Sequence, residues 1–196
     1  MLRLAIAGLA LVLAGCAERP DHLSPEDDLS SITWSLLGQD STQVAFPADF
    51  TGQPTLVSAI YTNCADVCVM TMANMKRIRR ALGPDTAGVH FVTFTFDPAR
   101  DTPTVLRRYA GTWGTGPGWT LVTGDSTEVA SLMDRLEIRY EISRRDTLAS
   151  GTPIYSISHT DKILLFDAEG RLVESYGGSA SSPEAVAADI LTLRSL

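Results

Sequence analysis

Residues 55–61 form a dense apolar run that suits a central strand covered on both faces. The run leads straight into Thr62-Asn63-Cys64-Ala65-Asp66-Val67-Cys68. From Val67 onward, apolar residues return at three- and four-residue steps through Met70 or Thr71, Met75, Ile78 and Leu82, until Gly83-Pro84 stops the pattern. A buried strand feeding an amphipathic helix puts two thiols at the strand's carboxyl end. The helix then anchors the cysteine loop to the core.

The alternation of element types continues downstream. Residues 89–96 read as a second buried strand, ending in Asp97-Pro98-Ala99-Arg100-Asp101-Thr102-Pro103, where Thr102 is placed to cap a helix that has Pro103 at its first position. Residues 119–123 read as a strand, Asp125 or Ser126 starts a helix to about Leu136, and residues 144–153 read as a polar loop. Residues 162–167 and 172–176 flank Ala168-Glu169-Gly170 as a hairpin, and Ser182-Pro183-Glu184 opens a closing helix to about Leu193. Near the N-terminus, residues 33–37 and 43–46 flank Gly38-Gln39-Asp40, which predicts a β-hairpin. With no internal repeat, this order predicts an α/β domain with a central mixed sheet flanked by helices.

The third cysteine belongs to a different kind of segment. Arg3 precedes eleven apolar or small residues, 4–14, then Gly15 and Cys16, the order of a secretory signal. A permanent span needs roughly 20 residues. The leader therefore reads as a signal peptide over residues 1–15, followed by an acidic tether over residues 16–28 and a folded domain over residues 29–196. Leu13-Ala14-Gly15-Cys16 resembles the lipobox of bacterial lipoproteins. That resemblance implies lipidation of Cys16, a domain leashed to a membrane, and a place in the bacterial cell envelope facing the periplasm. An uncleaved anchor or a plain secreted protein would also export the domain. Residues 17–28 carry two prolines and five acidic residues and read as solvated. The net charge of −7 sets nucleic acid aside as a partner, because binding phosphates requires clustered Lys and Arg.

Three segments share a resemblance. Tyr61-Thr62-Asn63-Cys64-Ala65-Asp66-Val67-Cys68, then Phe96-Asp97-Pro98-Ala99-Arg100-Asp101-Thr102-Pro103, then Ser158-His159-Thr160 ahead of Ile163-Leu164-Leu165-Phe166-Asp167 resemble the Sco (SCO1/SenC) family, from about Leu29 to the C-terminus. The resemblance implies a thioredoxin-like fold and a membrane-tethered copper chaperone of cytochrome c oxidase assembly. Its partner would be the copper-binding subunit of that oxidase or another copper protein. Cys64, Cys68 and His159 match the family's ligands for Cu(I) or Cu(II), and Asp97 matches an acidic residue near the metal. Ala65 and Val69 stand where the family commonly has proline, a change that removes stiffness but no ligand. The chemistry of the residues agrees, since copper(I) prefers thiolate and accepts imidazole. Three ligands leave room for a partner's ligand to join before one of them leaves. The helix start beside the cysteines is expected to favour their thiolate forms.

Other readings compete for the same residues. Cys64 and Cys68 would form a disulfide in an oxidising compartment, although closing so short a loop restricts the unfolded chain little. They would also serve a thiol-disulfide reductase that keeps partner cysteines reduced, one thiolate attacking and the other resolving. His159 and the three intervening residues, against two in thioredoxin-like redox motifs, argue for metal instead. A peroxidase of the peroxiredoxin kind would want cysteine surroundings that this chain lacks. His22 and His90 are expected to be solvated or at an edge, and Asp101 to cap a helix. Met70, Met72 and Met75 are expected to fill core in preference to relaying metal, and Trp34, Trp113 and Trp119 to pack.

Overall fold

Six consecutive buried residues make Thr55–Ile60 (β4) the middle of an eight-stranded sheet. The computed structural model describes residues 18–151 and 153–196; the leader and Cys16, with the expected lipidation, lie outside the described residues. Around β4 the chain runs β1 (Asp27–Asp28), β2 (Trp34–Gly38), β3 (Gln43–Phe46), β4, α1 (Val67–Leu82), β5 (His90–Thr95), α2 (Pro103–Trp113), β6 (Trp119–Thr123) and α3 (Ser126–Arg135). It continues with β7 (Tyr140–Thr147), β8 (Pro153–His159), β9 (Lys162–Phe166), β10 (Arg171–Gly177) and α4 (Pro183–Arg194).

The sheet order is β1-β10-β9-β4-β5-β6-β2-β3. Strands β4, β5 and β6 are parallel, as crossovers through α1 and α2 require, and β9 returns antiparallel against β4. This is the mixed sheet with flanking helices and N-terminal hairpin that the pattern predicts. The apolar side of α1 faces the core through Cys68, Met72, Met75 and Ile78, each 0 % exposed. Gly83, with φ of 54°, ends that helix in a conformation that favours glycine. Asp125 caps α3 by accepting from the Thr127 N–H at 2.8 Å, and Ser182 caps α4 by accepting from the Ala185 N–H at 3.3 Å. Thr102 precedes α2 in extended conformation but makes no capping bond with its side chain.

Two expectations are corrected. Residues 144–153 are not a free loop throughout: residues 144–147 close β7, which pairs with β8 as a two-stranded sheet, with Thr147 opposite Pro153 and Tyr140 opposite His159. The hairpin escaped the sequence pattern because β7 is exposed along nearly its whole length, and after Tyr140 and Ile142 it carries only polar residues. The acidic segment before residue 29 is not wholly solvated either. Leu23 is 0 % exposed, Arg19 pairs with Asp167 at 3.2 Å, and β1 pairs with β10. One buried leucine and a backbone ladder are enough to hold an otherwise polar segment against the sheet edge.

Candidate metal centre

The site begins where β4 ends. Tyr61 is buried, and the loop behind it is held by Asp101, which is 1 % exposed. The Asp101 carboxylate accepts from the Thr62 N–H at 3.0 Å, the Thr62 hydroxyl at 2.5 Å and the Thr95 hydroxyl at 2.5 Å. Burial pushes the Asp101 pKa up, opposed by the hydrogen bonds from Thr62 and Thr95. Expected only as a helix cap, Asp101 instead fixes the residue two positions before Cys64. The signal for that role is weak in sequence, since it rests on one threonine in the loop after β4 and another at the end of β5.

Cys64 is half-buried in the loop, and Cys68 is buried in the first turn of α1; both are free thiols. His159 arrives at the end of β8. Its Nε2 lies 3.2 Å from the Cys68 Sγ, and one donor atom from each of Cys64, Cys68 and His159 falls within 4.8 Å of the others. The His159 Nδ1 lies 3.0 Å from the Thr160 carbonyl oxygen. A carbonyl only accepts, so Nδ1 carries the proton and Nε2 presents a lone pair to the thiol. Phe96, with ring centroids 4.7 Å apart, and Tyr61, edge-on at 6.3 Å, wall the imidazole.

Burial pushes the Cys68 thiol well above its ordinary range. This corrects the expectation of a favoured thiolate at Cys68: the side chain is removed from water, so loss of solvation outweighs the helix dipole. A metal that takes Cys68 must therefore displace a proton.

A second clamp holds the histidine from behind. The Asp161 carboxylate accepts from the Thr71 hydroxyl of α1 at 2.7 Å, and from the Ser179 N–H and hydroxyl at 2.8 and 2.6 Å. Asn74, buried in α1, donates to the Gly178 and Ser181 carbonyl oxygens at 2.9 and 3.1 Å. The turn after His159 is thus tied to the helix that carries Cys68. Sequence reasoning missed Asp161, Thr71 and Asn74, which resemble ordinary surface polar residues until the fold joins them.

Asp97 is also buried, but its carboxylate accepts from the Tyr155 hydroxyl of β8 at 2.7 and 2.9 Å, with Arg100 stacked 3.2 Å over the Tyr155 ring. Asp97 thus secures the hairpin that ends in His159. Met72 and Met75 are core residues, whereas Met70 is 47 % exposed. His22 pairs at the surface with Asp189, and His90 packs edge-on against Phe50. Trp34 and Trp119 are core, with Trp113 half-buried against it.

The family model described as SCO1/SenC matches residues 24–195. The SCO2-like protein of Rickettsia felis is 26 % identical over 133 residues, 68 % of this chain and 62 % of that protein. Protein SCO2 homolog, mitochondrial, of Mus musculus is 28 % identical over 141 residues, 71 % of this chain and 53 % of that protein. The chain thus spans less than two thirds of the length of these relatives. The solved structure of Bradyrhizobium japonicum ScoI with copper bound is similar with a TM-score of 0.69 and 29 % identity, over 84 % of this chain and 98 % of that one.

Proposed function

Because this chain belongs to the SCO1/SenC family, we propose that it is a copper-binding chaperone that delivers copper to a respiratory oxidase, holding the ion with Cys64, Cys68 and His159. The observation that carries the reading is the His159 Nε2, turned by its own Nδ1–H bond to present a lone pair 3.2 Å from a free thiol. Two sulfurs and one nitrogen make a soft donor set suited to copper(I). The half-buried Cys64 is the ligand a partner reaches first, so the cargo leaves on that side. The copper-bound ScoI structure supports the choice of metal. The copper-binding subunit of cytochrome c oxidase is the proposed recipient. Cys16 is proposed as the lipidated residue that tethers the domain to a membrane, facing the periplasm.

Anaerobic titration of the reduced protein with copper(I) tests the site, with about one copper per chain expected. His159→Ala should weaken binding by at least about tenfold with the fold intact, as expected when a ligand is lost from a three-donor site. Unchanged affinity in that variant would refute the ligand set.

A thiol-disulfide reductase is a second reading, favoured by the unequal exposure of the two free thiols: Cys64 is placed to attack and the buried Cys68 to resolve. Dithiol activity without copper uptake would select it.

A further inference from the structure

The outer face of α1 carries a cationic groove that the site itself does not use. Met70, Ala73, Arg77 and Arg80 follow one another at three- and four-residue steps, so they share a face of the helix. With Lys76, and with Trp113 and Ser179 across from them, they line one open groove. From Met70 to Arg80 the groove follows α1 for roughly 15 Å at the helical rise per residue. It is walled by three cations and no carboxylate. The contrast with the whole chain, at −7, is sharp. Lys76 is turned to the Trp113 carbonyl oxygen at 2.6 Å, and none of Lys76, Arg77 and Arg80 forms an ion pair among the described residues. Unpaired cations crowded on one helix face repel each other, so a fold that keeps them together leaves a positive potential for something else to neutralise.

The place of the groove says what that is. Its near end is Met70, in the first turn of α1, the turn the Cys64 loop leads into, beside Val69, which is 40 % exposed. A protein that takes an ion from the half-buried Cys64 must bring its own ligands to this end of α1, and its neighbouring surface then lies along the helix. We propose that this groove docks an acidic surface of the protein that receives the copper, with Met70 and Trp113 as apolar contacts and Lys76, Arg77 and Arg80 as the charged ones. The inference rests on the chaperone reading above. Apolar contact at the end of α1 that follows the thiol loop and charge along the helix fit a protein partner better than a lipid headgroup layer, which would meet the charges but has no reason to lie near that loop. Contacts of this kind act mainly on association rate and are screened by salt.

The test follows copper(I) transfer from the loaded protein to the purified copper-binding domain of cytochrome c oxidase, in about 20 and about 200 mM salt. The variant is Arg77→Glu with Arg80→Glu, and Arg77→Lys with Arg80→Lys is its conservative control. At low salt the Glu variant should transfer about tenfold more slowly than wild type, the Lys variant at close to the wild-type rate, and the wild-type rate should fall with salt while the Glu variant's does not. Removal of copper by a small neutral chelator should be the same in all three. Equal transfer by wild type and the Glu variant at low salt overturns the proposal. A labelled Glu-Gly peptide of about twelve residues gives a readout independent of copper and recipient: wild type should bind it about tenfold more tightly than the Glu variant, and equal binding again overturns the proposal. If vesicles with about a third anionic phosphatidylglycerol lose the Glu variant while its transfer stays at the wild-type rate, the groove faces a membrane and the proposal falls. Failure of wild type to take up copper, or to pass it to the oxidase domain, refutes the function proposed above, and the peptide then decides the groove by itself.

Discussion

His159 is set by commitments made elsewhere. Its Nδ1–H is spent on Thr160, and the turn that follows is held by Asp161, whose two oxygens meet the Thr71 hydroxyl and the Ser179 N–H and hydroxyl. Truncation at this position removes both acceptors and leaves the buried side of the turn without them. Asp161→Ala should therefore destabilise the fold by about 2 kcal/mol and should weaken copper binding as His159 loosens. Urea unfolding and copper titration of the variant check this, and full stability in Asp161→Ala would refute the clamp. Residues of this type were not legible in the sequence. The donors of the metal site could be named because sulfur and imidazole are rare in this chain, with three cysteines and three histidines, whereas Asp161 and Asp101 are two among many carboxylates. Their roles come from burial and from partners far along the chain.

Two elements bring the histidine to the thiols. The β7–β8 hairpin leans on the domain through Tyr155, bonded to Asp97, and through the Ile157 N–H, which donates to the Tyr61 hydroxyl at 3.3 Å. Tyr155→Phe removes the first anchor and leaves a buried carboxylate without that donor, a loss of about 1–3 kcal/mol. Hydrogen exchange of the β7 and β8 amides should accelerate, while β4 and β5 stay protected. Equal exchange in the two hairpin strands would show that Tyr155 does not hold them. Beyond β10, a Cβ on Gly178 would stand 1.9 Å from the Asp161 Oδ1, too close for any side chain to fit without displacing that carboxylate. Gly178→Ala should lower stability by about 1–3 kcal/mol and reduce copper affinity with it, as measured by urea midpoint and titration. The elements themselves were largely legible: β4, α1, β5 and the β9–β10 hairpin follow the apolar periods. The β7–β8 hairpin was not, because its strands are stabilised by pairing and by Tyr155, with little burial to leave a pattern.

At the scale of the whole molecule, stability responds to pH through groups the fold treats unequally. Burial lowers the His90 pKa from its ordinary 6.5. Between that value and the depressed folded one, the unfolded chain binds more protons, so this contribution to stability is present above about 6.5 and is lost as pH falls. His22 has the opposite sign, since its bond to Asp189 raises its pKa, but it is fully exposed and solvent screens it. Acidification from about pH 7 to about pH 5.5 should therefore lower the wild-type urea midpoint more than that of His90→Gln. Parallel losses in the two proteins would exclude His90 as a source of acid sensitivity.

The central strand, the thiol loop that follows it, the helix behind them and the kinds of donor atom at hand can all be read from residue order alone. These are local properties, written in apolar spacing, in turn residues and in the scarcity of cysteine and histidine. That His159, 91 positions from Cys68, turns its Nε2 toward that sulfur is settled by the folded arrangement. Folding also pushes the Cys68 thiol up through burial and sets Asp101 and Asp161 to fasten the two halves of the site. Those outcomes depend on which groups lose water and which distant donors meet, and both are fixed only when the sheet, α1 and the hairpin close on one another.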